Sequence, residues 1–325
     1  MQTEVGRTEP VELVDEAAVR TAAERLRGVA VRTPLLVSPW SSALWLKPEN
    51  LQPIGAFKLR GAYHAVAQLP PERRRAGVIT HSSGNHAQAV AYAARAFGVP
   101  CVVVMPDGAV AQKVAATRRL GAEVVMVPPE QRLTRAEELA AQRGLALIPP
   151  FDHPDVIAGQ GTVGLEIAAD LPEVRLVLVP VGGGGLASGV ATAIRALAPR
   201  AAVIGVEPEL AADARESLAA GELRVWPTAR TYTTIADGLR TSLSELTFAH
   251  LRARLDGIVT VTEEEIIDTA RALLQQARLV VEPSGAVATA AWLHRRTELP
   301  AGPAVAVISG GNLTPELLAR LAGAA

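Results

Sequence analysis

From about residue 77 the chain alternates short β-branched runs with stretches of helical periodicity, the pattern of parallel βα units. Residues 77–80 read as a strand, 87–98 as a helix and 101–105 as the next strand. A helix over 111–120 closed by Gly121, a strand over 123–127 and a helix over 133–143 closed by Gly144 complete a compact block. A second series holds a helix near 164–170, a strand over 176–181, a helix over 186–197 and a strand over 202–206. Later come helices over 263–277 and 285–295 and a last strand over 304–308. Near-continuous apolar strands such as 176–181 imply sheets covered by helices on both faces, so the fold class is α/β. Leu69-Pro70-Pro71, and Pro149-Pro150 followed by Phe151-Asp152-His153-Pro154, are the expected crossings between two units. Ligands of open α/β sheets sit beyond the carboxyl ends of strands, so the loops there should carry the chemistry.

Composition narrows the picture. The 325 residues are 49% hydrophobic and 20% charged, which suits a large buried core and not a disordered chain. With 33 acidic and 32 basic side chains the net charge is -1, so no electrostatic footprint for nucleic acid is present. The single cysteine, Cys101, lies in an apolar run and has no partner for a bridge, which fits a reducing cytoplasm. The first ten residues are polar and partly acidic, without the basic-then-apolar order of an export signal. The apolar stretch 176–194 is broken by four glycines, so no membrane span is expected. Only Lys47, Lys58 and Lys113 of the basic residues are lysines. In so arginine-rich a chain each remaining lysine raises the question of what arginine could not do, and one answer is to supply a free amine for Schiff-base chemistry.

Four loops carry candidate chemistry. In the run Asn50 to Gly61, Lys58 is flanked by small and apolar neighbours that could desolvate its amine and lower its pKa; an ordinary lysine at a helix start is the plainer reading. Ser82-Ser83-Gly84-Asn85-His86 follows a strand and opens a helix, offering N–H and hydroxyl donors to a carboxylate, or simply a capped turn. Gly182-Gly183-Gly184-Gly185 lies between a strand and a helix, where glycines let the backbone approach an anion closely, as in a phosphate cradle. Gly183, Gly185 and Gly189 also make a loosely spaced dinucleotide fingerprint, with Glu207 where a ribose-binding acid would lie. Ser309-Gly310-Gly311-Asn312 offers a hydroxyl at the end of the last strand.

Taken jointly, these loops resemble those of the pyridoxal-phosphate enzymes of the tryptophan synthase β-like fold, most of all the branch of threonine and serine dehydratases and serine racemase. The resemblance runs from Arg32-Thr33-Pro34-Leu35 to Ser309-Gly310-Gly311-Asn312, and it rests on the order and spacing of the loops. It implies two parallel-sheet α/β units with the active site between them, a large one of residues 1–70 and 150–325 and a small one of 71–149. It further implies that pyridoxal 5′-phosphate forms a Schiff base with Lys58, that Asn85 bonds its 3′-oxygen, that Gly182, Gly183, Gly184 and Gly185 hold its phosphate, and that Ser309 meets its pyridine nitrogen. Ser82, Ser83, Gly84, Asn85 and His86 would then hold the carboxylate of a small amino-acid substrate, and a homodimer or homotetramer is expected.

A hydroxyl at the pyridine nitrogen, in place of a carboxylate, leaves that nitrogen largely unprotonated and favours elimination over transamination. Lys58 would take the Cα proton, and the cofactor phosphate would protonate the departing β-hydroxyl. The expected reaction converts a β-hydroxy amino acid such as L-threonine or L-serine to a 2-oxo acid and ammonia. Ser83 permits an alternative, since members resembling serine racemase use a serine there as the acid or base on the face opposite the lysine. Glu207, the Ala211 carbonyl and Asp213 resemble a divalent-cation site suited to Mg²⁺ or Ca²⁺. Two departures stand out: the stretch 34–47 is shorter than in typical members, and little chain follows Asn312, so the regulatory domain of biosynthetic threonine dehydratases, with its feedback control by isoleucine, is not expected. The rivals from other classes are a nicotinamide-dependent oxidoreductase, which explains the glycines and Glu207 but leaves Lys58 without a role, and a noncatalytic anion-binding module.

Overall fold

The computed structural model describes residues 11–323; the polar run 1–10, in which no export signal is read, lies outside them. Among the described residues the strands are, in chain order, β1 (Leu36–Val37), β2 (Leu44–Pro48), β3 (Val78–His81), β4 (Cys101–Pro106), β5 (Glu123–Val127), β6 (Ala146–Leu147), β7 (Leu176–Pro180), β8 (Ala202–Pro208), β9 (Gly257–Val261) and β10 (Ala304–Ile308). They form a six-stranded sheet in the order β1-β2-β10-β7-β8-β9 and a four-stranded sheet in the order β5-β4-β3-β6. Every pairing is parallel except the edge hairpin β1-β2.

The inner strands β4, β7 and β10 are buried on both faces, which is why their runs are apolar without alternation. On β7, Leu176 and Leu178 pack with Val287 and Ala291 of the helix Pro283–His294, while Val177 and Val179 pack with Val190 and Ile194 of the helix Gly185–Leu197. On β4, Val103 and Met105 face Leu59, Ala62 and Val90, while Val102 and Val104 face Ala136 and Leu139. Cys101 begins β4, and burial pushes its thiol up to about 12, so it is an inert core residue. No helix among the described residues is long and apolar enough to cross a membrane.

One departure from the sequence pattern is the helix expected near 164–170, which begins ten residues earlier and spans Pro154–Asp170. Glycine weakens a helix interior, so Gly159, Gly161 and Gly164 hide its first half from a propensity reading. Packing explains their presence. A Cβ on Gly159 would lie 2.6 Å from the Gly61 Cα, and one on Gly189 would lie 2.3 Å from the Ile157 carbonyl oxygen. These positions let the helices Lys58–Gln68, Pro154–Asp170 and Gly185–Leu197 cross at close range.

One of those crossings contains a buried ion cluster. Arg60, 1% exposed, binds Glu49 through Nε at 2.7 Å and Nη2 at 2.8 Å, and Glu166 through Nη1 at 2.6 Å. Lys47 Nζ reaches Glu166 Oε2 at 2.5 Å and donates to the Thr33 carbonyl. Burial alone would raise the Glu49 carboxyl, but the Arg60 guanidinium holds it below its ordinary range. The cluster ties the Lys58 helix to β2 and to the helix Pro154–Asp170. Arg60→Met keeps the apolar stem but strands the Glu49 carboxylate in the interior and leaves Glu166 to Lys47 alone, so a loss of about 3–5 kcal/mol is expected in urea unfolding; a loss below about 1 kcal/mol, the range of exposed pairs, would show that the cluster is not a structural tie.

Candidate active site

The chemistry-bearing loops emerge where the topology places ligand sites, at the carboxyl ends of strands. Ser82 to Asn85 follow β3, Gly182 to Gly185 follow β7, and Ser309 to Asn312 follow β10, the neighbour of β7. The fourth segment, which leads into Lys58, is laced to the β10 loop by main-chain bonds. Ala56 bridges Gly310, Phe57 N–H donates to the Ser309 carbonyl at 3.0 Å, and Gly311 N–H donates to the Gly55 carbonyl at 2.9 Å.

Lys58 is the first residue of the helix Lys58–Gln68. Its Nζ donates to the Pro150 carbonyl at 2.6 Å and lies 5.1 Å from the Phe57 ring centroid. Desolvation lowers its pKa from the usual value to about 8, since a carbonyl dipole compensates a buried ammonium less well than a carboxylate does. Lys47 and Lys113, by contrast, pair with Glu166 and Asp237.

Phe151, next to Pro150, packs on the glycine loop. A Cβ on Gly183 would meet the Phe151 ring at 2.3 Å, and one on Gly184, where φ is +84°, would meet Leu243 and Thr247. Any side chain there would displace its neighbours or strain the backbone. Gly184 caps the helix Gly185–Leu197 without a side-chain hydrogen bond, so the first N–H groups of that helix are left to an anion. The helix Asn85–Phe97 likewise starts at Gly84 with no side-chain cap. Within that loop Ser82 Oγ accepts from Gly84 N–H at 3.3 Å, and Ser83 is half-buried. His86 stands apart: its ring is buried, its Nε2 pairs with the Ile148 carbonyl at 2.9 Å, and burial together with the Lys58 charge takes its pKa down to about 3. It therefore offers the loop a main-chain N–H and a neutral ring.

Ser309 is 4% exposed, and its hydroxyl makes only a long 3.4 Å bond to the Ser284 carbonyl. Ser284 Oγ in turn accepts from Gly238 N–H, and the Gly238–Leu239 backbone lies against Gly182. The structure thus brings Lys58, Asn85, the four glycines and Ser309 into one contact network. It also adds Glu282, which sequence reasoning missed. This carboxyl, 4% exposed, accepts from Asn85 Nδ2 at 2.6 Å, and burial raises its pKa to about 8. Its position just before Pro283-Ser284-Gly285 marks a helix start and nothing more, because its burial depends on Asn85 arriving from the other sheet.

Glu207, Ala211 and Asp213 lie together at the end of β8, apart from this network. Glu207 accepts from the N–H groups of Ala214 and Arg215 at the start of the helix Asp213–Ala220, and Asp213 Oδ2 is buried with no partner. Burial raises both carboxyls. Glu207 therefore caps a helix and is not displayed toward a ribose, which removes the main support for a nicotinamide site.

An aldehyde cofactor with a phosphate fits the residues present: a cradle that a Cβ would fill, free helix N–H groups, a partly desolvated amine and an underused hydroxyl. Fold and site together define a lysine-dependent α/β enzyme of this cofactor class. The chain belongs to the family described as "Pyridoxal-phosphate dependent enzyme", whose model matches residues 26–310. It is 41% identical over 311 residues to the L-threo-3-hydroxyaspartate ammonia-lyase of Saccharomyces cerevisiae, covering 93% of this chain and 94% of that one. It is 40% identical over 310 residues to the serine racemase of Schizosaccharomyces pombe, covering 93% and 95%. Among solved structures it superposes on the T.th. threonine deaminase with a TM-score of 0.86 and 45% identity, covering 92% of this chain and 99% of that one. The α/β fold with two parallel-sheet units and the pyridoxal-phosphate cofactor expected from the loops are thereby borne out, and the oxidoreductase and anion-module alternatives are set aside.

Proposed function

We propose that the protein is an ammonia-lyase that dehydrates and deaminates a β-hydroxy amino acid, with L-threonine and L-serine as the first substrates to test. The observation that carries this reading is the presence in one network of a Lys58 amine held near pKa 8 and a buried Ser309 hydroxyl on the β10 loop. Pyridoxal phosphate, when bound, supplies the electron sink that acidifies the substrate Cα–H bond. Lys58 takes that proton on Nζ. Cleavage of the Cβ–O bond, with the departing hydroxyl taking up a proton that balances the one removed from Cα, releases water, and a second water hydrolyses the resulting enamine to the 2-oxo acid and ammonia. Gly182, Gly183, Gly184 and Gly185 with the helix behind them anchor the phosphate, and Asn85 and Ser309 orient the ring. Ser82, Ser83, Gly84, Asn85 and His86 receive the substrate carboxylate through the uncapped helix start.

Racemisation is the second reading, favoured by Ser83 on the loop and by the likeness to a serine racemase. The small unit is taken as 71–149, since β3 to β6 all fall within it, and the large unit as 1–70 with 150–325. A homodimer or homotetramer in the cytoplasm belongs to the same proposal. So does a Mg²⁺ or Ca²⁺ ion at Glu207, the Ala211 carbonyl and Asp213, supported by the partnerless Asp213 oxygen.

Purified enzyme given L-threonine or L-serine should form 2-oxo acid, with Lys58→Ala lowering the rate at least 10³-fold, as about 4 kcal/mol of lost catalysis would. Ser83→Ala should suppress exchange between D- and L-serine more than elimination. Turnover unchanged in Lys58→Ala would remove that lysine from the reaction. For the cation, Mg²⁺ or Ca²⁺ should raise the thermal midpoint of the enzyme, and Asp213→Ala should abolish the rise; an equal rise in the variant would place the ion elsewhere.

A further inference from the structure

The orientation of the Asn85 amide is fixed by a chain of hydrogen bonds that begins at a main-chain oxygen. The Ile54 carbonyl can only accept, so the Asn312 atom 2.9 Å from it is Nδ2. That nitrogen spends its other hydrogen on the Asn85 atom 2.7 Å away, which must then be the acceptor Oδ1. Asn85 Nδ2 consequently faces Glu282 Oε1, at 2.6 Å, and one of its two hydrogens is used there. The remaining hydrogen is the only part of the amide left to donate.

We infer that Glu282 is a positioning residue: together with Asn312 it locks Asn85 in the one orientation that leaves an amide hydrogen for the 3′-oxygen of the cofactor. This rests on the role proposed for Asn85. Three further observations support it. Glu282 is the residue preceding the helix Pro283–His294, yet its side chain makes no capping bond, so its carboxyl is not needed by that helix. A Cβ on Gly310 would lie 2.2 Å from Glu282 Oε1, so a glycine there is what admits the carboxyl to Asn85. The groups around it are Asp237 on the turn Asp237–Leu239, which opposes its ionisation, and Lys113 of the helix Ala111–Arg119 and the Asn312 N–H, which favour it. With a pKa of about 8 the carboxyl is mostly neutral at pH 7, and glutamine reproduces its shape and its acceptor oxygen.

The test is the dissociation constant of pyridoxal phosphate from the apoprotein at pH 7, with the visible band of the loaded protein as a second readout. Asn85→Ala is the reference and should weaken binding at least tenfold. Glu282→Ala should weaken it to a similar extent and shift the band, while Glu282→Gln should stay within about threefold of the parent, with thermal midpoints of the apoproteins unchanged. If Asn85→Ala binds normally, the role of Asn85 is wrong. If Asn85→Ala is weak but Glu282→Ala is normal, or glutamine is as poor as alanine, the inference is wrong. Should Glu282→Ala not fold, Asn312→Asp supplies the check. It turns an acceptor toward Asn85 Oδ1 and should flip the amide, with a tenfold loss of affinity; normal affinity in Asn312→Asp overturns the inference.

Discussion

The burial of Arg60 between Glu49 and Glu166 is the constraint on which the site depends. Arg60 lies two residues beyond Lys58 on the same helix, so anchoring the guanidinium fixes the start of that helix against β2 and the helix Pro154–Asp170. A buried cluster of this kind costs desolvation and is stabilising only when its members satisfy one another, which here they do. Its consequence for chemistry is a division of labour among the three lysines. Lys47 meets a carboxylate inside the cluster and Lys113 meets one at Asp237. Lys58 meets a main-chain carbonyl instead, and it is the lysine whose amine is brought within reach of neutral pH.

Close backbone contact supplies the rest of the geometry. Glycines allow three helices to cross behind the site and allow the loops after β7 and β10 to lie against Phe151 and Glu282. The two sheets share the result: Asn85 comes from the four-stranded side, while Ser309, Asn312 and Glu282 come from the six-stranded side. The site is therefore built from segments of both sheets.

What could be read in the sequence follows from the same physics. β10 matches its expected limits because a strand buried on both faces writes its burial directly into an apolar run. The helix Glu263–Gln275 was legible through its period, and the structure shows Thr262 and Glu265 closing a capping box at its start. The loops stood out because glycines after a strand have a local cause. The first half of the helix Pro154–Asp170 was hidden, since its glycines serve contacts with other helices and oppose local propensity. β2 was hidden by Lys47, a charge in a strand whose burial makes sense only beside Glu166. Glu282 was invisible for the same reason: the partner that explains a buried carboxyl lies nearly two hundred positions away in the chain.

The central claim is that Lys58 is the residue that captures the cofactor, and that it does so because its buried amine gives up its proton near pH 8. The direct measurement is borohydride reduction of apoprotein briefly exposed to pyridoxal phosphate over a range of pH, followed by peptide mapping. The account predicts label on Lys58, increasing through about pH 8 and then level, because the amine is protonated and unreactive below its pKa and free above it. Label on Lys47 or Lys113, or capture by Lys58 that keeps rising toward the pH of an ordinary lysine, would contradict it.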